Sequence, residues 1–299
     1  MKNTNPMFQI EPNKINTKDL HQYLLSIVGP RPIALASTID IHNNNNLSPF
    51  SFFNIFSANP PIAIFSPARR VRNNTEKDTL KNIKQIKEVV INIVNYQLVE
   101  KASISSGEYE PEIDEFIKAG LTPIASEKIK PFRVKESPVQ MECKVNQILE
   151  LGKNGGAGNL IICEIVLIHI NKNILNKENG IDQNKIKLVG RMGGSWYSKG
   201  FEEALFKIQK PDKNCGIGLD KIPNKIKNNP IFNESEICKL ATINKLPGKH
   251  EIQLFKKSTE TIEIDKIKNE HKREKKIQLK VKECLEKGNI EEAWKYLLY

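Results

Sequence analysis

The chain has 299 residues, of which 39% are hydrophobic, and a formal net charge of +11. This length is enough for one full hydrophobic core with a smaller unit beside it. No apolar run reaches the roughly 18–20 residues of a membrane-spanning helix, and residues 1–6 open no stretch typical of a signal peptide. A soluble, cytoplasmic protein with no membrane partner is therefore expected.

The positive charge does not indicate a nucleic-acid-binding protein, because the lysines are spread along the chain among many Asn and Ile residues. Zinc-finger, RNP-like and helix-turn-helix patterns are all missing from the sequence. A basic surface also suits anionic small molecules, and phosphorylated cofactors belong to that class. The five cysteines are widely spaced and form no Cys-x-x-Cys pair, so we expect free thiols and no metal site.

The first third of the chain predicts a helix followed by closely spaced strands. Asn16 or Thr17 can cap a helix over residues 17–26. Residues 33–39 are typical of a buried strand, and the Asn-rich segment 41–46 is typical of a turn. The sequence then predicts a second strand at 47–57, a third at 62–65, a helix over 79–86 with Asp78 as its cap, and a strand at 88–94.

The middle of the chain predicts a helical segment and then two long strands. The helical segment includes residues 111–117 and ends at Gly120. The strands, at 139–150 and 160–170, are joined by the glycine-rich run 152–158. Because strands flank this run on both sides, it is interpreted as a hairpin connection and not as a dinucleotide-binding loop. Many short strands without βαβ alternation favour a mainly β fold, a β-barrel with inserted helices.

The composition changes after about Ala204, where the chain becomes polar and mostly helical. Short helical pieces are predicted at 216–229 and 233–245, and a Lys/Glu-rich helix at 263–287. Ile277, Val281 and Leu285 form a thin apolar stripe on that helix. A final helix covers 289–298. These helices are interpreted as packing on the barrel or on a second subunit, with a partner-binding module as the alternative.

A cofactor site is predicted where rings, hydroxyls, an amide and cations occur close together in the sequence. Ser37 and Thr38 end one strand, and residues 51–54 lie on its expected neighbour, so both can reach one rim of the barrel. Asn54 can donate and accept hydrogen bonds toward ring heteroatoms. Phe52 and Phe53 alternate across a strand, so one can line a slot while the other packs in the core.

The predicted cradle for a phosphate follows directly. Its members supply hydroxyl donors or positive charge, and the amides at the start of the 79–86 helix add further donors. They are Ser66, Arg69, Arg70, Lys77 and Thr79. The residues alone therefore predict a barrel that binds an anionic cofactor.

The sequence also resembles a known family. The motifs that carry the resemblance are VGPRPIALASTID at 28–40, NLSPFSFFN at 46–54, PPIAIFS at 60–66, KDT at 77–79 and VVINIV at 89–94. It continues through KESPVQMEC at 135–143 to RMGGSWY at 191–197. In this order they are similar to the flavin reductase-like family over about the first two-thirds of the chain. An Asn-rich loop at 42–46 replaces the Asp-x-x-Gly-like turn of many members.

The resemblance implies an FMN-binding split barrel at residues 1–205, with 206–299 as a helical C-terminal extension whose role is not carried over. It also implies a homodimer with FMN bound non-covalently near the subunit interface. By position, the cofactor-binding residues become Ser37, Thr38, Ser51, Phe52, Phe53, Asn54, Ser66, Arg69, Arg70, Lys77 and Thr79.

The resulting prediction is an FMN-dependent oxidoreductase, an NAD(P)H:flavin reductase that passes hydride from NADH or NADPH to FMN. Its partners would be a second copy of the chain and a small-molecule electron acceptor or flavin. No catalytic side chain is predicted; His169 is the one histidine to examine near the nicotinamide. The alternatives are an FMN-binding electron carrier or sensor without direct NAD(P)H turnover, and a basic partner-binding or nucleic-acid-binding protein that uses its tail.

Overall fold

The computed structural model describes residues 7–208 and 215–299; the segment 1–6, where no signal peptide is expected, lies outside the described residues. The chain folds into two units, Met1–Phe206 and Lys207–Tyr299. Across the described ranges, no helix combines the length and the apolar character needed to cross a membrane.

The first unit consists of strands with five short or medium helices between them. The helices are α1 (Thr17–Ile27), α2 (Asp78–Gln85), α3 (Val99–Ile104), α4 (Glu115–Ala119) and α5 (Gln183–Ile186). The strands are β1 (Ala34–Ile39), β2 (Asn45–Phe50), β3 (Phe53–Ala58), β4 (Pro61–Phe65), β5 (Glu88–Ile93), β6 (Pro123–Ile124), β7 (Arg133–Val134), β8 (Val139–Glu150), β9 (Asn159–Ile170), β10 (Val189–Arg191) and β11 (Tyr197–Lys199).

Seven of these strands form one antiparallel sheet in the order β2-β1-β5-β8-β9-β4-β3. β2 and β3 follow each other in the chain, yet they lie at opposite edges of the sheet. The Phe50 and Phe65 ring centroids are 5.3 Å apart, and the backbone N–H of Ser66 donates to the carbonyl of Phe52 at 2.9 Å. The sheet therefore curls until its two edges meet, and the expected split barrel is confirmed.

The meeting of the two edges corrects one prediction. Residues 47–57 were expected to form a single strand paired with the first strand. They form two strands, because the chain turns a corner at Ser51 and Phe52. Only β2 pairs with β1, whereas β3 pairs with β4.

Strand alternation gives the sheet two different faces. The inner face contains a cluster that includes Phe65, Ile91, Cys143 and Cys163, and the α2 residues Leu80 and Ile83 pack against it. The outer face carries Leu35 and Leu47, which pack with residues of α3 and α4 such as Phe116. Side chains from neighbouring positions on one strand therefore reach different environments.

Local signals fixed several element boundaries. α1 begins after Asn16, whose side chain accepts a hydrogen bond from Asp19 N at 2.9 Å. β8 and β9 form the expected antiparallel hairpin, and Gly120 ends α4 with a φ of 59°. The predicted cap of α2 was wrong, since Lys77 occupies the cap position and Asp78 is the first helical residue.

The second unit is helical, as predicted for the extension. It contains α6 (Asn224–Lys227), α7 (Glu234–Leu240), α8 (Lys249–Phe255), α9 (Thr259–Asp265), α10 (Glu270–Glu286) and α11 (Ile290–Leu297). Its own core includes Leu240, Val281, Leu285 and Trp294, and the Trp294 indole donates to the carbonyl of Leu240 at 2.9 Å.

The helix predicted over residues 263–287 is two helices in the structure. α9 ends at Asp265, and α10 begins after Asn269, whose side chain accepts from Lys272 N at 3.0 Å. This Asn cap supplies an oxygen to an otherwise unpaired N–H of the first turn, and so starts a new helix.

Candidate functional site

The loop that follows β4 carries the predicted phosphate cations. Arg69 is largely neutralised, since it pairs with Glu76 at 2.9 Å and donates to the Asn74 side chain at 2.7 Å. Arg70 is less satisfied. Its NH1 donates to Thr75 and to the Glu76 carbonyl, both at 3.0 Å. Its buried Nε has no hydrogen bond in the described chain, and the nearest carboxylate, Glu108 Oε1, lies 3.8 Å away.

The glycine-rich tip of the β8–β9 hairpin holds this loop in place. Arg69 N donates to the Ala157 carbonyl at 2.8 Å, and Gly156 N donates to the Arg69 carbonyl at 2.9 Å. A Cβ on Gly155 would lie 2.9 Å from the carbonyl oxygen of Val71, which is closer than van der Waals contact. The sequence correctly indicated a hairpin here, but it did not reveal that the glycines allow the cationic loop to approach.

Lys77 completes the cationic group. Its Nζ lies 5.5 Å from the centroid of the Phe50 ring. Burial, and then the neighbouring charge of Arg70, lower the pKa of Lys77 below its ordinary value of 10.5. Among the described residues it forms no ion pair with a carboxylate. A partly buried ammonium beside a guanidinium would be stabilised by an anion bound between them.

Thr38 and Thr79 meet through a residue that sequence reasoning missed. The Asn46 side-chain oxygen accepts from Thr79 Oγ1 at 2.7 Å and from Thr38 Oγ1 at 3.3 Å. The Asn46 amide in turn donates to Glu115 at 3.0 Å, and burial raises the pKa of Glu115. Asn46 looked like part of an Asn-rich turn, so its position gave no signal of this role.

Ser37 does not take part in the hydrogen bonds around Asn46, although it is next to Thr38 in the sequence. It pairs across the ladder with Leu47, so alternation places it on the outer face, whereas Thr38 lies on the inner face toward α2. The Ser37 hydroxyl is buried and has no partner among the described residues. A buried hydroxyl without a hydrogen bond is costly, and it can be satisfied by a ligand or a water.

The corner between β2 and β3 contains the residues predicted to contact the ring of the cofactor. Ser51 accepts a hydrogen bond from Arg31 Nε at 3.3 Å. Phe52 is 38% exposed and its ring meets the His21 ring edge-on at 6.3 Å. Phe53 packs in the inner core, whereas Asn54 is exposed and its side-chain oxygen accepts from Ile55 N at 2.8 Å.

Ser66 lies at the end of β4, next to this corner. Its hydroxyl accepts from Asn159 N at 3.1 Å, and a Cβ on Gly158 would come within 2.8 Å of it. Because Ser66 N also bonds to Phe52, the corner and the start of the cationic loop are neighbours.

His169, the histidine to examine near the nicotinamide, lies away from this group. Its Nε2 lies 2.7 Å from Glu142, a carboxylate with no exposed surface. Burial acts to raise the pKa of Glu142, but hydrogen bonds from Glu127 N, His169 and Lys128 N lower it overall. On β9, Ile161 pairs with Phe65, next to Ser66. His169 lies eight residues further along the same strand, which is about 26 Å away.

The arrangement suits a phosphorylated ring compound. Lys77 lies beside Phe50 and close enough to Arg70 for the two charges to interact, with the backbone of the α2 N-terminus next to it. Ser51 and Asn54 offer polar groups at the adjoining corner, and Phe52 offers a half-exposed ring. Arg70 Nε makes no hydrogen bond in the described chain, so it is a donor that a phosphate oxygen would satisfy.

Comparison with known proteins identifies the family of the chain. Residues 29–185 match the flavin reductase like domain. The chain belongs to the flavin reductase-like family. A protein of Aquifex aeolicus (strain VF5) whose function is uncharacterized is 38% identical over 189 residues, which cover 63% of this chain and 94% of that protein.

Two solved structures show the same fold in this family. Nitrilotriacetate monooxygenase component B from Bacillus cereus is 31% identical, covers 69% of this chain and all of its own, and superposes with a TM-score of 0.64. A protein from Shewanella frigidimarina NCIMB 400, assigned as a flavin reductase with a split barrel domain, is 29% identical with a TM-score of 0.56. That alignment covers 66% of this chain and 96% of the Shewanella chain. Family membership supports a flavin cofactor and a flavin-related oxidoreductase.

Proposed function

We propose that the protein is an FMN-dependent oxidoreductase, an NAD(P)H:flavin reductase that works as a homodimer. The observation that carries the proposal is the pairing of Arg70 and Lys77, two cations close enough for one to lower the pKa of the other. A terminal phosphate distinguishes FMN from riboflavin, and a dianion is the ligand that this pair would bind best.

The residues of the site would bind and orient the cofactor, and the bound flavin itself would supply the capacity to accept a hydride. Arg70 and Lys77 would hold the phosphate together with the first amides of α2. Thr79 would position those amides, because its hydroxyl donates to Asn46. Ser51 and Asn54 would offer hydrogen bonds to the polar edge of the ring. Phe52 would pack on the ring with its exposed face, which also keeps water away.

Ser37 and Thr38 would serve this site from opposite sides of β1. Thr38 holds Asn46 and therefore the start of α2, so it would position the phosphate side indirectly. Ser37 has a free hydroxyl, but it lies on the outer face, where it would reach the flavin only at the rim. Arg69 and Phe53 would support the site structurally, through Glu76 and the inner core respectively.

Rapid mixing of the FMN-loaded protein with NADH and with NADPH tests the proposed activity. Oxidised flavins absorb at roughly 450 nm, and we expect this absorbance to decrease with at least one of the two donors. Failure to bleach with either donor, in protein that holds FMN, would refute the reductase proposal in favour of an electron carrier or sensor. The rate with each donor would also identify the co-substrate.

The homodimer is supported by an apolar face of α1. Tyr23, Leu24, Ile27 and Val28 are all exposed, at 45%, 45%, 71% and 60%, and no residue of α1 is buried. An amphipathic helix with this much exposed apolar surface is typical of a contact region. Light scattering should give twice the chain mass of 34.0 kDa, and Ile27→Glu should shift it toward the monomer; a monomeric wild type would refute the proposal.

A further inference from the structure

A small pocket lies beside the Ser51 corner, on the outer face of the barrel. Its volume is about 200 Å³. The walls combine apolar side chains from three elements with hydroxyls and one guanidinium. They are Ile33, Pro49, Ser51, Val99, Ala102, Ser103, Ser106, Arg191 and Tyr197, together with Phe50.

The guanidinium of Arg191 is held at the pocket by its own segment. Its NH1 donates to the Trp196 carbonyl at 3.2 Å, and its central carbon lies 4.6 Å from the centroid of the Tyr197 ring. The cation–π contact fixes the plane of the guanidinium. Its Nε and NH2 make no hydrogen bond within the described part of the chain, so they remain available to a ligand.

Two glycines allow this segment to approach the rest of the barrel. A Cβ on Gly190 would lie 2.4 Å from the Pro30 side chain, and one on Gly193 would lie 2.4 Å from Ser26 Oγ. The close approach pairs the backbones of Arg31 and Arg191, with N–H···O distances of 3.0 and 2.8 Å. The position of Arg191 is therefore built into the fold.

The pocket has an excess of positive charge. Arg31 is 4% exposed, and its guanidinium donates to the carbonyls of Leu25, Val28 and Met192 and to Ser51 Oγ. Within the described ranges, neither Arg31 nor Arg191 pairs with a carboxylate. Burial, and then the charge of Arg191, lower the pKa of Arg31.

We propose that this pocket binds the carboxylate of a small, single-ring aromatic acid, with Arg191 as the anchoring residue. Arg191 can bind a carboxylate through two parallel hydrogen bonds. Ile33, Pro49, Val99 and Ala102 provide the apolar walls that a ring requires. Drug-sized ligands occupy pockets of roughly 300–1,000 Å³, so a volume of about 200 Å³ limits the ligand to one ring.

The pocket shares Ser51 with the proposed flavin corner, so an acid bound there would lie next to the cofactor. The proposal concerns ligand binding, and it stands whether or not a nicotinamide reduces the flavin. It adds to the proposed reductase a site with its own chemical preference.

Calorimetric titration of the full-length protein with benzoate and with neutral benzamide tests the proposal. We expect benzoate to bind about ten- to a hundred-fold more tightly, because it can form charge-assisted hydrogen bonds with Arg191. Arg191→Gln should remove this preference. Arg273→Gln, in the second unit, is the matched control and should leave both affinities unchanged. Equal affinity for the two probes, or no effect of Arg191→Gln, would overturn the proposal.

A second variant keeps the test decisive if Arg191→Gln fails to fold. Ser103 is an exposed residue of the pocket wall, so Ser103→Phe should fill the pocket, abolish benzoate binding and leave the thermal midpoint unchanged. Unchanged benzoate affinity in this variant would place the ligand elsewhere and overturn the proposal.

Titration of benzoate into FMN-saturated protein separates the pocket from the flavin site. Retained benzoate binding supports a distinct site, whereas competition between benzoate and FMN would make the pocket a part of the flavin site and overturn the proposal. If the protein binds no FMN at all, the proposed reductase function fails, while the benzoate titrations still decide the pocket.

Discussion

Lys77→Met is the most informative substitution in the proposed FMN site. Methionine retains most of the length and apolar character of the lysine stem, so the packing on the Phe50 ring is largely kept. The change removes the ammonium, which has a pKa lowered by burial and by Arg70. FMN-free Lys77→Met protein should therefore be at least as stable as wild type, because a poorly solvated charge is lost.

The expected loss of FMN affinity follows from what Lys77 contacts. In the described chain the ammonium has no carboxylate partner, so its interaction with a phosphate would not compete with an internal ion pair. A hydrogen bond to a charged group contributes about 1.5–3 kcal/mol. Lys77→Met should thus raise the Kd for FMN by roughly 10- to 150-fold.

Quenching of flavin fluorescence on binding measures this Kd, and riboflavin provides the control ligand because it lacks the phosphate. The riboflavin affinity of Lys77→Met should stay within about two-fold of wild type, since surface electrostatic effects are small. Lys81→Met is the matched control variant. Lys81 lies on the same helix but is exposed and already pairs with Asp78 at 2.8 Å, so FMN affinity should barely change.

Two results would refute the reasoning. If Lys77→Met weakened FMN and riboflavin equally, the side chain would act on the ring or on the fold and not on the phosphate. If it weakened neither, the phosphate would bind elsewhere.

Three further predictions concern pH and buried polar groups. FMN affinity should fall as the pH rises through the lowered pKa of Lys77, because phosphate binding favours the protonated amine; titrations between pH 7 and 10 should show this fall, and a pH-independent wild type would contradict it. Burial raises the pKa of Glu115, so its contribution to stability is present below the unfolded value of about 4.5 and is lost as the pH rises through the folded pKa. In urea unfolding, the free energy of unfolding of Glu115→Gln should therefore increase relative to that of wild type from pH 4 to 7. A difference that stays constant with pH would contradict this prediction. Asn46→Ala should lower the free energy of unfolding by about 1–3 kcal/mol, because it leaves buried Thr38 and Thr79 hydroxyls without their acceptor. Exposed Asn154→Ala is the control; an equal effect of both variants would show that the Asn46 network is dispensable.

Much of the first unit follows from patterns that are local in the sequence. The β8–β9 hairpin is predictable because two apolar strands flank a glycine-rich turn, and α1 is predictable because Asn16 precedes a helical apolar pattern. The cations of the loop after β4 could also be recognised, since Arg70 and Lys77 lie close together in the sequence. These features depend on neighbours within a few residues.

The features that sequence reasoning missed depend on distant partners. The corner at Ser51 and Phe52 exists because the barrel closes, and closure depends on the pairing of β4 with the distant strand β9. Ser37 and Thr38 point to different faces because neighbouring residues of a strand alternate, but which of the two faces the interior depends on how β1 is placed in the sheet. Asn46 is drawn into the site by Thr79, 33 residues away, and nothing in an Asn-rich segment distinguishes it from its neighbours.

The buried cysteines make unfolding of each unit separately observable. Cys143 and Cys163 lie in the inner core of the barrel, and Cys284 lies in the core of the helical unit. Burial raises the pKa of Cys163 to about 12 and that of Cys284 to about 11, so alkylating reagents must wait for local opening. Mass spectrometry of a single labelling time course would then report two opening free energies, and FMN should protect the barrel thiols while leaving the labelling of Cys284 to the helical unit's own stability.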